Sequence, residues 1–308
     1  MKSTCHISVM EREVVDALMA KQGGNFLDCT LGGAGHTLAL LRANPENQVV
    51  TLDRDQRAVD RAAVRLADFS DRVQIMHGAF SQIETLVGEQ SFHGVLADLG
   101  TSADQLQENR GFSFKDSSAL DMRMNEDQVF SAADVVNNSG EQELFIILKQ
   151  GGLGKEARAV QRAIVAARPI TDTDQLAKVI NRVTHGRSHA KKTNPATVAF
   201  QAIRMAVNSE LEEIESLMDV APKLVKAGGR LAVITFHSLE DKAVTKKMRS
   251  WRGSSRPALL PMSATEHDKP ALGKMVGAKA VVPSEDEVQR NPGARSSRLR
   301  VFEFQGEG

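Results

Sequence analysis

Three aspartates, each closing an apolar run, are the first residues whose types and spacing could do chemistry. Asp28 opens DCTLGGAGHT at 28–37, Asp53 lies in LDRD, and Asp98 opens onto LGTS. Glycine turns let a backbone approach a ligand closely. Asp53 stands eighteen residues after Gly35, a spacing at which an acid accepts both hydroxyls of a ribose. A dinucleotide turn needs G-x-G-x-x-G/A; aligned on Gly33 and Gly35, its third position is Leu38, which does not permit the close helix packing. Carboxylates at 28 and 98 would also repel a pyrophosphate, whereas they favour a ligand carrying ammonium and sulfonium groups. S-adenosylmethionine has the ribose diol and both cations, so the turn reads as a methyl-donor site. Taken singly, Asp53 also reads as a plain strand end and Asp98 as a helix cap.

A methyl acceptor must lie opposite. Methylation at a ring carbon of cytosine requires a cysteine nucleophile. Of the two cysteines, Cys5 precedes the strands and Cys29 sits inside the donor turn. Transfer to an exocyclic amine needs only alignment and acceptors for its hydrogens. Asp98, with Ser102 in the same turn, offers a carboxylate, carbonyls and hydroxyls there. Phe236, His237 and Ser238 are candidates for the opposite wall, with His237 either a proton acceptor or a structural residue.

These groups need a scaffold that brings strand ends together. Apolar runs at Phe26–Leu31, Val49–Leu52, Val73–Met76 and Val95–Leu99 predict strands, separated by helical patterns such as Asp55–Phe69. That alternation is the mark of a parallel α/β sheet. A fifth strand is expected at Gly229–Phe236 and a late one at Arg298–Phe304. The long gap after the fourth strand exceeds one crossover helix, so residues 106–205 are expected to form a helical insert, with 1–105 and 206–308 as a discontinuous core. Helices are predicted over Ser131–Asn138, Glu141–Lys149, Lys155–Ala167 and Asp172–Val183. Another starts at the cap Asn194 with Pro195 in its first turn; its stripe of Phe200, Ile203, Val207, Leu211, Ile214 and Met218 runs unbroken. Gly253–Pro292, rich in Gly, Pro and Ser, reads as a surface loop.

The chain has 308 residues, 41% hydrophobic and 25% charged, which fits a soluble globular protein. It has no apolar run of membrane-span length and no signal-peptide pattern. Two cysteines without a CxxC pair point to a reducing, cytoplasmic setting and away from disulfides and a cysteine-built zinc or iron–sulfur site. Net charge is zero, with 39 basic and 39 acidic residues. The basic residues nevertheless cluster. One run comprises Lys149, Lys155, Arg158, Arg162, Arg168, Lys178, Arg182, Arg187, Lys191 and Lys192; a second comprises Lys242, Lys246, Lys247, Arg249, Arg252 and Arg256. Each reads either as a solvated helix face or as a polyanion footprint.

In this order, DCTLGGAGHT, LDRD, HGAFS, LADLGTSADQL, RGFSF with LDMRM, FQAIRMAVNSELEEIE, GGRLAVITFHSLED and NPGARSSRLR resemble the bacterial ribosomal RNA small-subunit methyltransferase H (MraW) family along nearly the whole chain. The resemblance implies a class I, Rossmann-like S-adenosylmethionine-dependent methyltransferase core with an inserted helical domain. It implies methylation of the N4 amine of a decoding-region cytidine in 16S ribosomal RNA. It also implies the small ribosomal subunit as partner, no membrane, and room for a homodimer. The donor contacts would be Ala34, Gly35, His36, Asp53, Phe80, Asp98 and Gln105. Phe112 and Phe114 would either stack on an extruded base or anchor the insert to the core, with Arg110 and Arg123 as phosphate ligands in the first case. Three segments depart from the family pattern: Gly151–Lys155 replaces a Tyr-Gly-Glu-Glu-Arg stretch, Asn194–Val198 replaces His-Pro-Ala-Thr-Arg, and Gly32–His36 replaces Gly-Arg-Gly-Gly-His. Two rival readings remain: a methyltransferase acting on a non-RNA amine, and a non-catalytic donor-binding ribosome-assembly factor.

Overall fold

A computed structural model describes residues 8–114, 117–184, 194–253 and 270–305. By its internal contacts the chain divides into two compact units, Met1–Gly100 with Glu212–Gly308, and Thr101–Leu211.

The first unit is built on a seven-stranded sheet. Its strands are β1 (Asn25–Asp28), β2 (Gln48–Asp53), β3 (Val73–His77), β4 (Phe92–Asp98), β5 (Val225–Thr235), β6 (Gly273–Met275) and β7 (Arg298–Phe304), in the order β3-β2-β1-β4-β5-β7-β6. β1 to β5 are parallel, while β7 runs antiparallel to both β5 and β6. This is the class I, Rossmann-like methyltransferase architecture expected from the sequence. The helices are α1 (Glu11–Ala17), α2 (Gly35–Ala43), α3 (Gln56–Arg65) and α4 (Ile83–Val87) before the second unit. In α3, Asp55 caps the start by accepting from Arg57 N, and Ala58 and Ala62 face the core while Val64 stays exposed. The strand order reverses between β1 and β4, and ligands bind beyond the carboxyl ends of strands at such a switch point.

The second unit is helical. It holds α5 (Ala103–Gln107), α6 (Ala132–Asn138), α7 (Glu141–Leu148), α8 (Ala157–Ala167), α9 (Thr173–Thr184) and α10 (Pro195–Val207). Its own core is formed by side chains such as Val135, Leu144, Leu148, Val160, Ile164, Ile180, Phe200 and Ile203. Asn194 caps α10 by accepting from Ala196 N, with Pro195 in the first turn. The chain returns to the sheet through α11 (Glu210–Leu224), and α12 (Ser238–Ser250) and α13 (Glu285–Arg290) complete the first unit.

Two expectations need correction. The long helix from Asn194 to Met218 is two helices, because Ser209 adopts a left-handed conformation at φ 47°. Asn208 beside it is fully buried, accepting from Met124 N (2.8 Å) and donating to Met122 O (2.7 Å) and Arg204 O (2.9 Å). The break is thus filled by hydrogen bonds that an unbroken helix would not make. Nor is Gly253–Pro292 only a loop. It contains β6, which pairs with β7, and α13, capped by Ser284; residues 254–269 of it lie outside the described residues.

Candidate active site

The three aspartates meet at neighbouring strand ends. Asp28 pairs with Thr51 of β2 on one side and Leu96 of β4 on the other, two positions short of Asp53 and Asp98 respectively. Asp28 is fully buried and well bonded: Thr37 Oγ1 donates to Oδ2 (2.7 Å), and Thr30 N (3.1 Å) and Oγ1 (3.4 Å) donate to Oδ1. Burial nevertheless pushes its carboxyl up to about 7, against the opposing pull of the hydroxyls. Thr30 also accepts from Asp98 N (2.6 Å), so a single hydroxyl ties the ends of β1 and β4. Asp53 accepts from Gly32 N (2.8 Å) and Asp55 N (2.9 Å). Burial raises its carboxyl as well, these two bonds opposing the shift.

The turn between β1 and α2 is bent through Gly32 at φ 45° and Ala34 at φ 63°, left-handed positions that glycine takes without penalty and alanine takes at about 1 kcal/mol. Arg65 of α3 donates to Gly33 O and steadies the turn. Gly35 opens α2 against Ser8; a Cβ there would lie 1.9 Å from Ser8 Oγ. His36 is buried, and its Nε2 donates to Val9 O (2.8 Å) while Nδ1 faces Asp98 Oδ2 at 3.6 Å. Phe80 begins a short turn just after β3, whose last residue, His77, pairs with Asp53. Ser81 in that turn donates twice to Glu213.

Asp98 is the least satisfied of the three acids. Its side chain is 19% exposed, yet Oδ1 is buried without a hydrogen-bond partner among the described residues. Burial, then the charges of Asp28 and Glu240, push its carboxyl well above the ordinary carboxylate value. Such a group holds its charge only beside a cation. The donor set therefore suits a cation-bearing adenosine ligand: Asp98 keeps an open buried acceptor, and Asp53, with two of about four lone-pair sites used, keeps room for ribose hydroxyls. Cys29 is buried and its thiol is pushed up by burial, which suits no nucleophile; Cys5 lies outside the described residues.

The acceptor-side residues are engaged locally. Ser102 caps α5, its Oγ accepting from Gln105 N (3.2 Å) while Gln105 Oε1 accepts from Ser102 N (3.1 Å). The S-x-x-Q spacing signals this reciprocal cap. His237 caps α12: Nδ1 accepts from Glu240 N (3.4 Å), and Nε2 lies 2.8 Å from Glu240 Oε1. Glu240, which the sequence reading did not single out, is 1% exposed and accepts from Phe236 N (2.8 Å) and His237 N (3.2 Å). Its place three residues into the helix after a capping residue was the available signal. Phe236 packs against Gly100, where φ is 106° and an added Cβ would meet the ring at 3.4 Å.

In the second unit, Phe112 is buried in the helical core, and Phe114, half-buried, packs against Phe200 with ring centroids 4.9 Å apart. Arg110 is 5% exposed and donates to Arg123 O and Met124 O, while Arg123 pairs with Asp121. Both rings and both arginines are thus engaged within the helical unit itself. Within the first basic run, Arg168 is spent on Val136 O and Ser139 O, and Lys178 pairs with Asp174. Lys149, Lys155, Arg158, Arg162 and Arg182 are exposed, with Lys149 and Arg158 over the Phe145 ring. Arg187, Lys191, Lys192 and, in the second run, Arg256 lie outside the described residues. No helix among the described residues is long and apolar enough to cross a membrane.

A model of the MraW methylase family matches residues 3–305. The chain belongs to that family. Two relatives of this MraW-family chain carry the name ribosomal RNA small subunit methyltransferase H. The one from Cyanothece sp. is 41% identical, covering 96% of this chain and 93% of its own length. The one from Nitratiruptor sp. is 40% identical, covering 97% and 98%. Among solved structures, a putative methyltransferase from Streptococcus mutans in complex with SAH aligns at TM-score 0.42 and 13% identity, covering 97% of this chain and 99% of its own.

Proposed function

We propose that this MraW-family chain methylates the N4 amine of a decoding-region cytidine in 16S ribosomal RNA, on the small ribosomal subunit in the cytoplasm. The name borne by its relatives supports the RNA substrate. The observation that carries the chemistry is Asp98, with a buried, unpartnered Oδ1 at the switch point of the sheet.

S-adenosylmethionine, when bound, supplies an electrophilic methyl group on a sulfonium centre. The Gly32–Gly35 turn, with Ala34 and His36, would hold its methionine end, Asp53 its ribose and Phe80 its adenine face. Asp98 is the catalytic residue: its open oxygen accepts a hydrogen of the cytidine amine and turns the nitrogen lone pair toward the methyl carbon. The gain is one of alignment and of a preorganised acceptor in a dry site. The proton leaving the methylated amine has Asp98 as its first acceptor, since burial keeps that carboxyl readily protonated. Ser102 and His237 act by fixing the turns beside Asp98, through the caps of α5 and α12. The cytidine must leave its stack to reach the site, at a cost of a few kcal/mol.

The test is transfer of labelled methyl from S-adenosylmethionine to naked 16S ribosomal RNA and to small subunits lacking the modification, followed by nucleoside analysis. N4-methylcytidine in either substrate is expected. Donor binding with no methyl on either substrate would replace this reading with that of a non-catalytic assembly factor.

A further inference from the structure

The second basic run forms a surface that the methyl-transfer chemistry does not use. On α12, Lys242, Lys246 and Arg249 follow one another at i, i+4 and i+7, with Arg252 in the turn beyond, and all four are exposed. None of the four has a carboxylate within salt-bridge distance among the described residues. The acids nearest in sequence are committed elsewhere: Asp241 to Arg300 and Arg298, and Glu240 to the backbone at Phe236 and His237. Lys247, one position off the stripe, pairs with Asp219. The opposite face is fixed in the core by Val244 and Met248, and Trp251 packs against Phe302 and Phe304.

Helix stability does not account for the pattern. Cations favour the last turn of a helix, which covers Arg249. Lys242 stands in the second turn, where the dipole gives a cation no support, and its i, i+4 neighbour Lys246 adds like-charge repulsion of about 0.2–0.5 kcal/mol. A solvated helix face ordinarily alternates charge sign; this one carries a single sign.

Its position supplies the occupant. α12 starts directly after β5, whose Ile234 pairs with Asp98, so the stripe leads away from the catalytic carboxylate. From Lys242 to Arg249 it spans about 10 Å, the reach of about three phosphates along a helical strand. We infer that Lys242, Lys246, Arg249 and Arg252 form a phosphate-binding track for the RNA strand that flanks the target nucleotide. The inference rests on the RNA reading above and adds to it a contact surface on the catalytic unit itself.

The test compares wild type with the fourfold variant Lys242→Gln, Lys246→Gln, Arg249→Gln, Arg252→Gln, and with a charge-keeping Lys242→Arg, Lys246→Arg pair. Binding to unmodified 16S ribosomal RNA is titrated across salt concentrations, with far-UV circular dichroism and S-adenosylmethionine affinity as checks on folding. The glutamine variant should keep its spectrum and donor affinity, bind RNA at least about 10-fold more weakly at low salt, and lose up to about 2.8 from the magnitude of its log–log salt slope (about 0.7 per phosphate). The arginine pair should match wild type. Equal affinity and slope in wild type and the glutamine variant would overturn the track while leaving methyl transfer untouched. So would loss of binding to phosphatidylserine vesicles with RNA binding intact. Absence of methyl transfer by wild type would instead strike the proposed reaction, and the binding comparison would still decide the track.

Discussion

Asp98 and His36 face each other across 3.6 Å, from Oδ2 to Nδ1, with neither oxygen of the carboxylate within hydrogen-bonding distance of the ring. His36 Nε2 donates to the Val9 carbonyl, which fixes the ring's orientation beside Asp98. The other oxygen, Oδ1, is buried and has no hydrogen-bond partner among the described residues, so the carboxylate keeps an open acceptor. Asp98→Asn keeps the shape but exchanges the anionic acceptor for an amide. Turnover in that variant should fall by about 100-fold or more, while RNA affinity stays within about twofold. Single-turnover methyl transfer checks it, and a kcat near that of wild type would remove Asp98 from the chemistry.

Donor binding should release protons. In the ligand-free chain, burial and the charges of Asp28 and Glu240 raise the Asp98 carboxyl, and burial raises Asp53. A cationic ligand favours the charged carboxylates, so it binds more tightly as pH rises through their ligand-free pKa values and reaches a plateau above them. Calorimetry in two buffers of different ionisation enthalpy, repeated across pH, should show net proton release that dies away once pH exceeds the ligand-free pKa values. Proton uptake would contradict the sign of the coupling.

The sheet and the strand-end placement of the three acids were legible because apolar runs end in aspartate, and the start of α10 because Asn194 precedes Pro195. Other features depend on tertiary contacts. The three residues of β6 form a strand only against β7. The apolar stripe from Phe200 to Met218 continues through the break at Ser209, so periodicity alone could not show it. Ser102, Gln105 and His237 carry groups that suit catalysis and capping equally, and their spacing to the next helix was the cue to the caps the structure shows. The same holds for Arg110, whose buried bonds to two carbonyls no local pattern announces.

Asn208 is the structural counterpart of that break. Its side chain makes three bonds in a fully buried position, two of them to backbone atoms of the segment around Met122 and Met124. Asn208→Ala leaves a buried N–H and a buried carbonyl without partners. It should destabilise the helical unit by about 2–4 kcal/mol. Urea unfolding followed by circular dichroism measures this, and a loss under about 0.5 kcal/mol would show that the bonds are replaceable.

Asp28 sets a pH dependence opposite in sign to that of a salt-bridged acid. Its folded pKa of about 7 lies above the ordinary value of 3.8, so the folded chain binds a proton that the unfolded chain has released. The stability it contributes is complete below about pH 4 and is lost as pH rises toward 7. Asp28→Asn imitates the protonated form at every pH and retains an acceptor for Thr30 or Thr37. The two proteins should therefore have similar stability near pH 4 and diverge above it, the variant becoming the more stable by up to about 4 kcal/mol at pH 8. Urea denaturation midpoints at intervals from pH 4 to 8 give the comparison. Parallel curves would mean that Asp28 is ionised throughout and that its hydrogen bonds from Thr30 and Thr37 outweigh burial.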